Sequence, residues 1–256
     1  MLNKIIEIVK KASKIMLDDS HFHVDEKGSA SNLVTTNDVR IQAFLQKELG
    51  ELLPNSSFLC EEGDVRDTSK DYVWIVDPID GTANYAKHIT VCAISVALEY
   101  QHEIIIGVVY NPYQNALFTA EKGKGAYLNG QRIHVSDTPF RSALLYTAFS
   151  MYEKEYSHSC FMFAEGILPY INDLRRTGSA ACELCNVACG RGDMFFELKL
   201  YPWDYAAASL VIKEAGGYIS CLDENYLPLE RPTTVVVANT KENHKSLLEH
   251  ARKHFK

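Results

Sequence analysis

An α/β fold of two joined layers is the architecture this sequence predicts, and three observations predict it. Short apolar runs separated by Gly, Asn and Pro fill residues 57–149. After residue 150, helical and strand patterns alternate, as they do when helices pack on a sheet. With 256 residues, 46% of them hydrophobic and 23% charged, the chain is long enough to bury most of its apolar surface in one body. One domain, 1–256, is expected, with a strand-rich subdomain (about 1–149), an alternating subdomain (about 150–256) and a cleft between them.

The first element is "MLNKIIEIVKKASKIMLDD". Ile5, Ile8, Val9, Ala12, Ile15 and Met16 lie on one helical face, interrupted by lysines and acids, so residues 2–17 read as an amphipathic helix and not a signal peptide. A polar loop through Gly28 and Ser31 follows. Thr35, Thr36 and Asn37 offer capping oxygens to a second helix, 37–52, and Asp38 suits its electropositive first turn. "SFLCEE", "DYVWIVD", "VCAISVALEY", "EIIIGVVYNP", "ALFTAEKG" and "GAYLNGQRIHVS" then read as strands at hairpin-like distances. The second half opens with a helix near 152–167, a strand near 171–176 and a helix near 179–190. The strand "DMFFEL" leads to the helix "WDYAAASLVIKEAGG", stopped by Gly216 or Gly217. The strands "YISCL" and "TVVVAN" and a helix from about 241 complete the order.

Composition narrows the function. A net charge of -7 argues against a nucleic-acid groove, and no run approaches ~18 apolar residues, so no membrane partner is expected. Seven scattered cysteines, an odd number, fit reduced thiols and a cytoplasmic protein. Cys182, Cys185 and Cys189 fall on one apolar helical stripe and read as core packing, not a metal site. The nine histidines form no HExxH, and Ser150 and Ser179 lack a GxSxG elbow. Arg175 and Arg176 either attract an anion or flank a solvated strand end, with the second reading favoured.

The chemistry concentrates in acids at element ends. Glu61 and Glu62 follow "SFLC", Asp77 and Asp80 follow "WIV", Asp204 opens the helix of "PWDYAAA", and Asp38 sits in an early helix turn. Carboxylates at element ends can converge on a cleft, and hard cations such as Mg²⁺ take oxygen ligands. In "DPIDGT", Asp77 and Asp80 can face one ion across a turn, with the Ile79 carbonyl aimed at it. Gly81 permits the reversal, Thr82 supplies a hydroxyl, and a helix starting there would offer free N–H groups to an anion. An abrupt turn with solvated acids and a helix-start charge is the competing reading, which the paired glutamates and the "WD" helix start weigh against.

"CEEG", "WIVDPIDGTANY", "GAYLNGQRIHVS" and "PWDYAAASLVIKEAGG", in this order across about residues 30–240, resemble the inositol monophosphatase family of magnesium-dependent, lithium-sensitive phosphatases. The resemblance implies a layered α/β/α/β/α sandwich, a homodimer, and a small phosphorylated substrate hydrolysed by a phosphoric monoester hydrolase. It implies two or three Mg²⁺ per site: Glu61, Asp77 and the Ile79 carbonyl for the first, Asp77, Asp80 and Asp204 for the second, and Glu62 or Asp38 near a third. Thr82 and Glu61 would orient the attacking water with Asp38 in support. Backbone N–H groups of Gly81 and Thr82 would hold the phosphate, Gly178, Ser179 and Ala180 would line the sugar pocket, and Glu197 and Asp204 would contact substrate. Asn84-Tyr85 resembles the inositol-phosphatase type. Myo-inositol monophosphate or a related polyol phosphate is therefore the expected substrate. The alternatives are 3′-phosphoadenosine 5′-phosphate, fructose 1,6-bisphosphate and histidinol phosphate, or a regulatory protein on the same fold.

Overall fold

The computed structural model describes residues 1–18, 22–29, 32–63, 70–149, 154–223 and 226–255. Ser31 and Ser150 lie outside them. The chain opens with α1 (Leu2–Met16), then β1 (Val24–Ser29), β2 (Asn32–Thr35) and α2 (Thr36–Leu52). β1 and β2 pair antiparallel, Val24 opposite Thr35 and Glu26 opposite Leu33, which corrects the polar loop expected there. Backbone pairing holds this two-stranded ribbon, and its residues carry no apolar alternation from which a strand could be read.

Seven strands form the first sheet in sequential order: β3 (Ser57–Cys60), β4 (Tyr72–Asp80), β5 (Ala93–Tyr100), β6 (Glu103–Asn111), β7 (Ala116–Glu121), β8 (Ala126–Leu128) and β9 (Gln131–Ile133). β3 runs parallel to β4, and every later neighbour is antiparallel. A short helix, α3 (Thr82–Ala86), follows β4. The second sheet has the order β11-β10-β12-β14-β13. Its strands are β10 (Leu144–Thr147), β11 (Asp173–Arg175), β12 (Met194–Leu200), β13 (Tyr218–Ser220) and β14 (Thr233–Ala238). β10 pairs parallel with both β11 and β12. The change of sheet therefore falls between residues 133 and 144, before the boundary that strand signals place near 149, because such signals do not say which sheet a strand joins.

The helices set the layers. α1 and α2 cover one face of the seven-stranded sheet, while α5 (Ala180–Ala188) and α6 (Pro202–Glu214) fill the space between the two sheets. α4 (Ser157–Ile167) and α7 (Lys241–Ala251) close the outer face of the second sheet. This is an α/β/α/β/α sandwich. β4 shows why "YVWIV" is apolar without alternation: Trp74 and Val76 enter the α1/α2 core, and Val73 and Ile75 enter the α5/α6 core. Cys182 and Cys185 are buried in the middle layer, and burial pushes the Cys182 thiol up to about 12, which fits packing.

α6 lies close on the first sheet because "AAA" (206–208) presents only methyl groups. At Gly107 of β6 a Cβ would collide with the backbone carbonyl of Ala207. Gly107→Ala therefore forces the helix off the sheet and should cost about 2–3 kcal/mol in chemical denaturation. An unchanged midpoint would show that the layers are not held this tightly.

Candidate active site

The parallel pairing of β3 with β4 sets Cys60 opposite Val76, so Glu61 and Glu62 emerge beside Asp77. Gln42 of α2 fixes this turn from both sides: its amide donates to the Glu62 carbonyl at 3.1 Å, and its carbonyl oxygen accepts from the Glu62 N–H at 3.0 Å. β4 does not stop at Asp77 as the pattern suggests; it continues to Asp80 through an irregularity opposite β5. Asp77 faces Ser95 and Asp80 faces Ala93, so β4 carries one extra residue there. In a regular strand two side chains three residues apart point to opposite faces. The bulge at Pro78-Ile79 restores them to one side, which is how Asp77 and Asp80 come together.

Asp77, Asp80 and Asp204 each offer a carboxylate oxygen within 4.8 Å of the others, and Asp38, Glu61 and Glu62 form a second such group. Asp204, in the first turn of α6, accepts from the Tyr201 N–H at 2.7 Å. Asp77 accepts from the Ile79 N–H at 2.9 Å. Asp80 accepts from the Ser179 hydroxyl and, at 3.0 Å, from the Ala181 N–H, so the start of α5 aims it. Ser179, 1% exposed, also caps α5 through the Cys182 N–H. Its hydroxyl thus positions Asp80, and Gly178 and Ala180 on either side line the cavity.

Asp38 serves two structures. Its carboxylate accepts from the Thr35 N–H at 2.8 Å and from the Thr35 hydroxyl in a capping box, and its other oxygen lies 3.4 Å from the Thr82 hydroxyl. The Thr82 hydroxyl also reaches the Ile79 carbonyl at 3.0 Å. Cap residue and site residue are the same side chain.

Gly81 turns the chain with φ +88°, and a Cβ on it would press on the carbonyls of Val91 and Gly178. Asn84 locks the same contact, its amide donating at 2.7 Å to both the Val91 and Thr177 carbonyls. Glu183 of α5 holds the other side of the loop, accepting from the Thr177 N–H, the Thr177 hydroxyl at 2.8 Å and the Gly178 N–H at 3.2 Å. Tyr85 is buried: its hydroxyl donates to the Met16 carbonyl at 2.9 Å and accepts from the Asn37 amide at 2.7 Å. Asn84 and Tyr85 are therefore occupied with structural partners, not turned toward the cavity.

The electrostatics are those of crowded like charges. Burial first, then Glu61, Asp80, Asp204 and Asp38, holds the Asp77 carboxyl well above the carboxylate range, and burial with Asp80 and Glu61 does the same to Asp204. Burial raises Asp38 and Asp80 to about 7, against the lowering effect of their hydrogen bonds. Among the described residues no lysine or arginine pairs with Asp77, Asp80 or Asp204. The donors are all oxygen, converge within a few ångströms and repel one another, a set that fits a hard divalent cation.

A cavity of about 400 Å³ opens on this cluster. Glu61, Asp77, Ile79, Asp80, Gly81, Thr82, Gly178, Ser179, Ala180, Glu197 and Asp204 line it, so all these sequence-selected residues meet there; Asp38 and Glu62 sit behind Glu61 and Thr82. Ala148, Glu183 and Lys199, which no motif or spacing singles out, join the lining. Of the two arginines, Arg175 pairs with Asp173 at 2.5 Å, whereas Arg176 faces the cavity, against the solvated reading favoured for both.

A sequence model described as the inositol monophosphatase family matches residues 1–256. The chain is 35% identical over 226 residues to the protein named Nus factor SuhB of Escherichia coli (strain K12), covering 86% of this chain and 84% of that one. It is 36% identical over 241 residues to an inositol-1-monophosphatase of Rhizobium meliloti (strain 1021), covering 92% and 90%. The structure of extragenic suppressor protein suhB from Bartonella henselae superimposes with a TM-score of 0.90 at 31% identity, over 98% of each chain. With two acidic groups at one cavity of the sandwich and a match along its whole length, the chain belongs to the inositol monophosphatase family.

Proposed function

We propose that this protein is a Mg²⁺-dependent phosphatase that hydrolyses a small polyol or sugar phosphate, with myo-inositol monophosphate the first substrate to test. The observation that carries the reading is the convergence of Asp77, Asp80 and Asp204, with no lysine or arginine paired to them among the described residues, on the cavity that also holds Glu61 and Thr82. Asp77, Asp80, Asp204, Glu61 and the Ile79 carbonyl would hold the ions, with Glu62 and Asp38 near a further one. Bound divalent cations supply positive charge that makes water a better nucleophile and stabilises phosphoryl and leaving oxygens.

The chain's own groups do the rest. Thr82 Oγ1, held between Asp38 and the Ile79 carbonyl, orients the attacking water together with Glu61. Asp38, which accepts from that hydroxyl at 3.4 Å, can take up a proton through it. First-turn amides of α3 at Gly81 and Thr82 bind phosphoryl oxygens, since a helix start leaves such donors without an intrahelical partner. Glu197, whose carboxyl burial raises to about 8, faces the cavity and bonds a substrate hydroxyl. Glu183 and Asn84 keep the 176–180 loop against Gly81, so the sugar pocket stays in register with the phosphate. A homodimer, as in the family, is part of the proposal, and light scattering measures it.

Similarity to a Nus factor favours a second reading, in which the fold serves as a binding or regulatory protein. A phosphate-release panel separates the two. With Mg²⁺ present it should span myo-inositol 1-phosphate, fructose 1,6-bisphosphate, 3′-phosphoadenosine 5′-phosphate and histidinol phosphate. The hydrolase reading expects release from at least one, suppressed by lithium. Release from none sinks it.

A further inference from the structure

We propose that Gln42 is a positioning residue for the cation site: its two bonds to the Glu62 backbone hold Glu61 and Glu62 in place, and so set how tightly the protein binds Mg²⁺. The inference rests on the hydrolase reading above. The ladder between β3 and β4 ends at the Glu61 N–H, which donates to the Val76 carbonyl at 3.3 Å. Glu62 lies beyond it in a turn, and there Gln42 of α2 takes over. The Gln42 amide donates to the Glu62 carbonyl at 3.1 Å, and its oxygen accepts from the Glu62 N–H at 3.0 Å. Reversing the carboxamide would set oxygen against carbonyl and N–H against N–H, so one orientation alone makes both bonds. Gln42 is 6% exposed, which leaves little room for water to take its place.

Asp38 and Gln42 stand four residues apart on one face of α2. The helix therefore reaches the site twice: Asp38 supplies a carboxylate, and Gln42 holds the segment that brings two more. Carboxylate oxygens of Asp38, Glu61 and Glu62 lie within 4.8 Å of one another, and like charges at that separation push apart. Asp38 is held by its own helix and by Thr35. Glu61 and Glu62 sit on a turn, where an outward swing would relieve the repulsion. The Gln42 clamp opposes that swing, so an incoming ion meets oxygens already gathered. A neutral amide suits the task, because glutamate at this position would lack the donor and add a further negative charge.

The test is Mg²⁺ binding to the metal-stripped full chain, measured by calorimetry at pH 8 and well below the unfolding temperature. Gln42→Met keeps the side-chain volume without either bond, and Gln42→Asn keeps the amide but withdraws it by one methylene. Both should raise the Mg²⁺ Kd by roughly fivefold or more. Leu247→Val, in the core beneath α7, loosens the fold without touching the site and should leave the Kd as in wild type. A smaller rise in either Gln42 variant, or an equal rise in Leu247→Val, overturns the positioning role. Where Gln42→Met does not fold, Gln42→Asn decides by the same criterion. Uptake of no Mg²⁺ by wild type would instead sink the metal reading, and this role with it.

Discussion

Replacing Asp80 by Asn is expected to lower Mg²⁺-dependent phosphate release by on the order of 10³-fold while the protein stays folded. The amide is nearly isosteric, and its oxygen can still accept from the Ser179 hydroxyl and the Ala181 N–H, so the junction between β4 and α5 survives. What disappears is a negative charge in a buried group of three carboxylates. Because burial, Glu183 and Glu61 all disfavour that charge in the metal-free protein, the variant without metal should unfold at the same temperature as wild type or higher. Loss of turnover with retained or raised stability is the pattern expected of an ion ligand. Turnover within tenfold of wild type would remove Asp80 from the ligand set.

Mg²⁺ is expected to stabilise the protein strongly at pH 8 and hardly at all at pH 5. Asp38 and Asp80 are raised to about 7, and Asp77 and Asp204 lie well above their usual range. A carboxyl whose pKa is higher in the fold than in the unfolded chain binds its proton more tightly when folded. Its stabilising contribution is present below about pH 4, the unfolded value, and is lost as pH rises through about 7. The metal-free protein therefore pays a growing penalty across that window. A cation reverses it, since it favours the ionised carboxylates and competes with their protons. At saturating Mg²⁺ the rise in Tm should reach roughly 5–10 °C at pH 8. An equal rise at both pH values would mean that the cation binds away from these groups.

Much of this site was legible because its residues carry their own signals. "WIV" is apolar at every position because β4 is buried on both faces, and acids directly after such a run are conspicuous. Asp204 at a helix start and the glutamate pair after β3 are equally visible. The β4 bulge was not legible: it depends on pairing with β5, and "DPID" alone reads as a turn. Nor were Gln42, Asn84 and Glu183, ordinary polar residues whose partners are set by tertiary contact. Asn84 reaches a carbonyl 93 residues away. Asp38 shows a different limit: a capping motif accounts for it from the residues alone, and only the family resemblance points to its support of Thr82. The β1/β2 ribbon and the membership of β10 were missed for a related reason, since pairing and not side-chain pattern decides both.

Cation binding by the carboxylates around Asp77 is what phosphate-ester hydrolysis here requires. Its most direct test is phosphate release from myo-inositol 1-phosphate as Mg²⁺ is titrated into metal-stripped protein, with fructose 1,6-bisphosphate run beside it. No release is expected without the ion, and a saturable rise with it for at least one substrate, abolished in Asp77→Asn. Release that is independent of Mg²⁺, or that survives that substitution, would contradict it.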